Sequence, residues 1–126
     1  MTPKTALLVI DVQTAFYGHG NIPPVHDADG ALSSIANVVS GARSHAIPII
    51  VVQHDGPKGH PMEPGAPGWE LHRALDVSRA PVVRKSRPDA FFETDLQIKL
   101  DKADVSHLIV WATRPSFAST QPAAGR

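Results

Sequence analysis

Short apolar runs separated by amphipathic stretches organise the chain. Residues 7–10, directly after Ala6, are all aliphatic and show neither a helical period nor alternation with polar residues. A run of this kind is typical of a strand that is buried on both faces of a parallel sheet. Residues 49–52 and 108–110 have the same character, and residues 81–85 form a short run that ends on charged residues; we predict that all three are strands as well.

Apolar residues at steps of three and four predict an amphipathic helix between the first two strands. Its apolar stripe consists of Leu32, Ile35, Val39 and Ala42. Asp27 or Asp29 can cap the amino end of this helix. Pro48 marks its end, because the residue before a proline avoids the helical region.

Two further helical segments are expected after the second strand. Thr94 and Gln97 match a capping box at the start of a helix whose apolar ridge is Leu96 and Leu100. A short helix is also expected over residues 69–75. The resulting order of strands and helices predicts an α/β fold with three layers, in which a parallel sheet of Rossmann-like topology lies between helices.

A glycine- and proline-rich stretch follows the second strand. Residues 54–68 contain four glycines and four prolines, so no regular element is expected there. A loop of this length inside a small domain usually carries function. We expect it to form a wall of the site or a subunit contact.

Composition narrows the range of partners. A length of 126 residues fits one domain. Twelve basic and twelve acidic residues leave no net charge, which argues against nucleic acid or an anionic membrane as the partner and leaves a small molecule. No apolar run is long enough to span a bilayer and the start resembles no signal peptide, so we expect a cytoplasmic protein.

Asp11 directly follows the first strand and is the first candidate site residue. Ligands of open parallel sheets bind outside the carboxyl ends of the strands, although an Asp in this position can also simply open a loop or cap a helix. His54, His60 and His72 suggest a metal site, but we expect solvated or substrate-facing histidines and no metal. No phosphate-binding glycine pattern is present, which disfavours a nucleotide-binding domain.

Several of these residues together resemble the isochorismatase-like cysteine hydrolases. The similar segments are residues 8–13 with Phe16, Lys85 with residues 89–92 and 94–96, and residues 107–110. They occur in the family's order and spacing between residues 6 and 110. The resemblance implies a cofactor-independent hydrolase that acts on a small amide or an isochorismate-like substrate and forms a homo-oligomer in its full-length form.

The resemblance also implies a catalytic set of an Asp, a Lys and a Cys. The first two correspond to Asp11, as the base, and Lys85, as the cation that favours the thiolate. Gln13, Phe16 and Trp69 fall in regions that line the family's pocket, although a Phe near a strand end is more often a core residue and Trp69 is equally compatible with anchoring a helix. The nucleophile has no counterpart, because the chain contains no cysteine. Without the sulfur, Asp11 and Lys85 reduce to an ion pair between adjacent strand ends.

The sequence changes character after residue 110, and residues 111–126 show no strand or helix signal. If one nucleotide was lost just before the Trp111 codon, the original codons begin at each third base, and the first of them is a forced glycine, because Trp111 ends in G and Ala112 begins with GC. Synonymous choices then allow Gly-Asn-Pro-Thr-Glu-Phe-Cys-Val, which resembles the family's nucleophile turn, with the cysteine arising where Phe117 meets Ala118. We therefore interpret residues 1–110 as the amino-terminal part of a hydrolase domain and residues 111–126 as an out-of-frame tail.

Two functional hypotheses follow. One is a hydrolase lineage whose present chain is inactive because it lacks the cysteine, with a sheet that is incomplete at the carboxyl end. The other is an inactive scaffold, or a binding or oligomerisation module, with the same fold.

Overall fold

The computed structural model of the chain describes residues 4–18, 25–75, 77, 79–87, 91 and 94–113. Its strands and α-helices, in chain order, are β1 (Thr5–Ile10), α1 (Ala28–Ser44), β2 (Ile49–His54), β3 (Val82–Lys85), α2 (Leu96–Lys102) and β4 (His107–Ala112). Short 3₁₀ turns occur at Thr14–Tyr17 and Pro67–Trp69. None of the helices in this described part is long and apolar enough to cross a membrane.

The four strands form one parallel sheet in the order β3-β2-β1-β4. The first strand lies inside the sheet, where Leu7 pairs with Ile49 of β2 and with Ile109 of β4. This position explains why its sequence is apolar throughout, since both faces of β1 are covered. The predicted parallel α/β sheet is confirmed.

One helix packs on each face of the sheet, which confirms the three layers. Leu7 and Val9 belong to the core that contains α1, whereas Leu8 and Ile10 belong to the core that contains α2. This division follows from the alternation of side chains along a strand. The helices supply the opposite walls of the two cores: Ile35, Val39 and Ala42 from α1, and Leu96 and Leu100 from α2.

The helix expected over residues 69–75 is wrong. Only Pro67–Trp69 forms a 3₁₀ turn, and Leu71 pairs with Gln13 in an isolated antiparallel bridge. Backbone groups of this segment are used for that pairing, because Thr14 N–H donates to the carbonyl of Glu70 at 2.9 Å and His72 N–H donates to that of Val12 at 2.9 Å. A chain engaged in this way cannot form the i to i+4 bonds of a helix.

The ends of several elements also differ from expectation. Helix α2 begins at Leu96 with Asp95 as its N-cap, so Thr94 is not the capping residue, although its hydroxyl accepts a bond from Leu96 N–H at 3.3 Å. Asp27 is the N-cap of α1, as one of the two alternatives predicted. The prediction that no strand continues after residue 110 is wrong for Trp111 and Ala112, which extend β4 beside β1. The predictions for residues 89, 90, 92 and 114–126 lie outside the described residues.

Candidate functional site

Asp11 and Lys85 meet at the carboxyl edge of the sheet. The Lys85 ammonium lies 3.3 Å from Asp11 Oδ1, and the two side chains are 0% and 1% exposed. The ion pair does not join adjacent strands as expected, because β2 lies between β1 and β3. Lys85 therefore reaches past the end of β2 to Asp11. A charge pair this deeply buried is costly to form. Removal of one partner strongly destabilises the folded protein, because the other charge is left uncompensated.

Asp11 adopts the left-handed backbone conformation, with φ of 62°. Among residues other than glycine, Asp and Asn tolerate this region best, and it still costs free energy that the surrounding structure has to offset. The backbone is held there by a bond of 3.1 Å from Asp11 N–H to the carbonyl of Val52. Because of this backbone conformation, the Asp11 side chain does not continue the alternation of side chains along β1.

The Lys85 ammonium also contacts groups of His54 and Arg87. His54 Nδ1 lies at 3.4 Å, and the carbonyl of Arg87 accepts a bond at 3.2 Å. A lysine ammonium has three donors and no acceptor. The Asp11 carboxylate, the Arg87 carbonyl and His54 Nδ1 therefore all offer acceptor atoms to the ammonium. His54 is the last residue of β2 and pairs with Lys85 in the sheet register.

Gln13 is fully buried and ties β2 to the long loop. Its Nε2 donates to the carbonyls of His54 and Trp69, both at 2.9 Å, and its Oε1 accepts from His54 N–H at 2.9 Å. Both amide hydrogens are used in these bonds. Gln13 thus positions His54 and the loop backbone, while its predicted contact with substrate stays a prediction.

Trp69 is held in place from several sides. Its carbonyl accepts a second side-chain bond from Gln53 Nε2 at 3.0 Å, and its indole N–H donates to Asp55 Oδ1 at 2.9 Å. The same carboxylate oxygen binds Arg84 Nε at 2.6 Å, and the Arg84 guanidinium lies 4.9 Å from the centre of the indole ring. The loop residue is therefore fixed beside the carboxyl ends of β2 and β3. Its role toward a substrate stays a prediction.

Two aromatic residues follow β1 in the turn Thr14–Tyr17. Phe16 is buried in the core with α1, so its predicted place in a pocket stays untested. The Tyr17 hydroxyl forms a bond of 2.7 Å with the Thr113 hydroxyl, directly after β4. Burial raises the pKa of Tyr17, the Thr113 bond lowers it and the Asp11 charge raises it further. Sequence reasoning did not single out Tyr17 as a site residue, because its partner Thr113 is 96 residues away in the chain.

A cavity of about 700 Å³ opens beside the turn Thr14–Tyr17. It is lined by Thr14, Pro67, Glu70, Leu71, His72 and Arg73. Neither Asp11 nor Lys85 lines it, so the buried ion pair and not this cavity identifies the candidate site. Within the described ranges, no group of three or more His, Cys, Asp or Glu side chains is arranged to hold a metal ion.

Comparisons with known proteins agree with this geometry. The Isochorismatase domain profile matches residues 5–111, and the chain belongs to the isochorismatase family. It is 39% identical over 109 residues to a streptothricin hydrolase of Streptomyces noursei, covering 86% of this chain and 42% of that protein. An uncharacterised isochorismatase family protein of Bacillus subtilis, YddQ, is 33% identical over 84% of this chain and 60% of its own length.

The fold agrees as well. An isochorismatase of Pseudomonas putida superposes with a TM-score of 0.78 at 29% identity, over 89% of this chain and 59% of that structure. The chain thus spans about half the length of the curated relatives it matches. The residues matched by the family profile, 5–111, include both Asp11 and Lys85.

Proposed function

We propose that this chain derives from a cofactor-independent thiol hydrolase in which Asp11 is the base and Lys85 the stabilising cation. The nucleophile is a cysteine in the place of Ala118, encoded when one nucleotide is restored just before the Trp111 codon and the codons after it are read from each third base. We call that product the frame-restored chain. As printed, the 126-residue chain lacks the sulfur and is expected to be inactive.

The chemistry requires three groups at one point. Asp11 accepts the thiol proton, and the thiolate attacks the carbonyl carbon of an amide to form a tetrahedral oxyanion. The amine leaves with that proton, and water then hydrolyses the thioester, which releases the acid and restores the thiol. Lys85 stabilises both ionised Asp11 and the neighbouring thiolate through its positive charge. Backbone N–H groups before the nucleophile stabilise the oxyanion.

The observation that carries this proposal is where β4 ends. Thr113 N–H donates to the carbonyl of Ile10 at 3.1 Å, so the chain leaves β4 beside the residue that precedes Asp11. A nucleophile on the turn after β4 would therefore start from the same edge of the sheet as the Asp11–Lys85 pair. The match to the family profile also ends at residue 111, where the proposed change of frame begins.

The proposed substrate is a small amide or an isochorismate-like compound. The relation to streptothricin hydrolases supports streptothricin as one candidate, since those relatives are more similar in sequence than the Pseudomonas isochorismatase. Streptothricin and isochorismate are thus the two probes to compare. We also propose that the full-length form assembles as a homo-oligomer.

The gene itself tests the origin of the tail. Nucleotide sequencing across codons 108–126 is expected to show TGC across the Phe117–Ala118 boundary, and codons for Thr and Glu across the Arg114–Pro115 and Pro115–Ser116 boundaries. If the codons cannot be read as the nucleophile turn in the other frame, the proposal fails.

Alkylation then separates an enzyme from an inactive scaffold. The frame-restored chain is expected to hydrolyse one of the two probes and to lose that activity when its thiols are blocked with iodoacetamide. Activity that survives complete alkylation contradicts the thiol mechanism. A frame-restored chain that folds but hydrolyses neither probe favours the scaffold or binding module.

A further inference from the structure

His54 is a polar residue of the site to which the proposed mechanism gives no role. It ends β2, between the strands that carry Asp11 and Lys85, and its Nδ1 lies 3.4 Å from the Lys85 ammonium. The imidazole is half-buried, whereas both charged groups are almost fully buried. His54 is therefore the most accessible of the three side chains.

The position of the imidazole is fixed through its own backbone. The side-chain amide of Gln13 binds both the N–H and the carbonyl of His54, each at 2.9 Å. The sheet adds a second constraint, because His54 and Lys85 are register partners on neighbouring strands. The backbone of His54 is thus fixed, and the direction of the imidazole depends on the side-chain torsion angles.

The contact between His54 and Lys85 bears on which nitrogen of the imidazole carries the proton. Because an ammonium only donates, the nitrogen that faces it has to carry a lone pair. A proton on Nδ1 would point at the hydrogens of Lys85, and a doubly protonated ring would place a second cation beside the first. The contact thus favours an unprotonated Nδ1 with the single ring proton on Nε2. The separation of 3.4 Å is at the long end for a hydrogen bond, but only this tautomer makes it attractive.

We propose that His54 is a positioning residue: its neutral Nε2–H tautomer accepts a bond from the Lys85 ammonium and holds that ammonium against Asp11. Without the acceptor, the buried ammonium loses a contact that fixes its direction, and it can turn from its position beside Asp11 toward the Arg87 carbonyl. The consequence for catalysis rests on the proposed function, whereas the tautomer is a property of the 126-residue chain itself.

Nitrogen NMR of the uniformly labelled 126-residue chain tests the tautomer without any need for activity. The long-range proton–nitrogen spectrum is expected to show His54 as Nε2–H near neutral pH, with its signals assigned from their loss in His54→Asn. Replacing Lys85 by Met is expected to remove the preference, while the exposed His107 keeps its spectrum and serves as the internal control. A His54 ring that is Nδ1–H or doubly protonated in the parent chain overturns the proposal, whether or not Lys85→Met folds.

Kinetics of the frame-restored chain supply the second test. His54→Ala is expected to lower kcat by about 10- to 100-fold with a smaller effect on KM, because misplacement of a reacting group costs about that much. His54→Asn retains an acceptor near the Nδ1 position and is expected to recover most of the loss, and His107→Ala is the matched control. Equal losses in His54→Ala and His54→Asn overturn the proposal. If the frame-restored parent is inactive, the proposed function fails and the NMR result alone decides the role of His54.

Discussion

The Lys85 ammonium lies 3.3 Å from the Asp11 carboxylate even though β2 separates the strands that carry them. Both side chains are almost completely buried. Removal of one partner leaves an uncompensated charge or a polar group in a site with little access to water. This relationship makes the pair a sensitive point for stability in the 126-residue chain, independent of any activity.

The first prediction concerns that pair. Lys85→Met and Asp11→Asn are each expected to lower the free energy of unfolding by about 3–5 kcal/mol, and Asn is chosen because it tolerates the left-handed backbone of Asp11. The double variant is expected to lose less than the sum, since no charge is then left alone. Urea unfolding measures these values. Lys102→Met on the exposed end of α2 is the control and should change stability by about 0.5 kcal/mol or less; strict additivity of the pair would contradict the coupling.

The second prediction concerns Tyr17, the only tyrosine of the chain, so its ionisation has a single absorbance signal. Burial and then the Asp11 charge raise its pKa, while the Thr113 hydroxyl lowers it. Asp11→Asn is therefore expected to lower the Tyr17 pKa and Thr113→Val to raise it, as measured by ultraviolet titration. A Tyr17 titration that neither variant changes would contradict the contacts.

The sign of the Tyr17 effect on stability follows from the same shift. The folded chain keeps the phenol proton to higher pH than the unfolded chain, whose tyrosine titrates near pH ~10. The stabilising contribution is complete below about pH 10 and is lost as the pH rises through the folded-state pKa. In Tyr17→Phe this part of the alkaline loss of stability should disappear.

A third prediction compares two glutamines that bind the same carbonyl. Gln13 makes three hydrogen bonds to the backbone of His54 and Trp69, whereas the side chain of Gln53 donates one hydrogen bond, to the Trp69 carbonyl. Gln13→Leu is expected to cost about 2–3 kcal/mol because it leaves buried groups of His54 without a partner, and Gln53→Leu about 1 kcal/mol. Thermal or urea unfolding checks the difference, and equal losses would show that Gln13 does not hold the end of β2.

The fourth prediction separates the two aromatic residues assigned to the pocket. Phe16 is 2% exposed within the core of α1, so Phe16→Ala should cost about 3–5 kcal/mol. Trp69→Phe removes only the indole N–H that binds Asp55 and should cost about 1 kcal/mol. Denaturant unfolding measures both changes. Equal losses of unfolding free energy would mean that the Trp69–Asp55 bond contributes as much to stability as the core packing of Phe16.

The parallel sheet and its two helices could be predicted because their signals are local. Five successive aliphatic residues before Asp11 identify β1, and the stripe of α1 has a clear period. The order of the strands could not be read in this way, which is why Asp11 and Lys85 were expected on neighbouring strands. Strand order depends on contacts between distant segments, not on the pattern within each one.

The remaining differences have the same cause. Residues 69–75 have local features of a helix, but pairing of Leu71 with Gln13 takes over their backbone groups. Trp111 and Ala112 have no strand pattern and still extend β4, because their backbones pair with Val9 and Ile10 whatever side chains they carry. Tertiary pairing outweighs local propensity in both places.

Hydrolysis measured side by side in the 126-residue chain and the frame-restored chain tests the central claim most directly. With streptothricin and isochorismate as probes, the frame-restored chain is predicted to turn over one of them and to lose at least about 100-fold in kcat/KM on Asp11→Asn, while the 126-residue chain shows no turnover. Turnover by the 126-residue chain, or full activity of the Asp11→Asn variant, would contradict the assignment of Asp11 as the base of a thiol hydrolase.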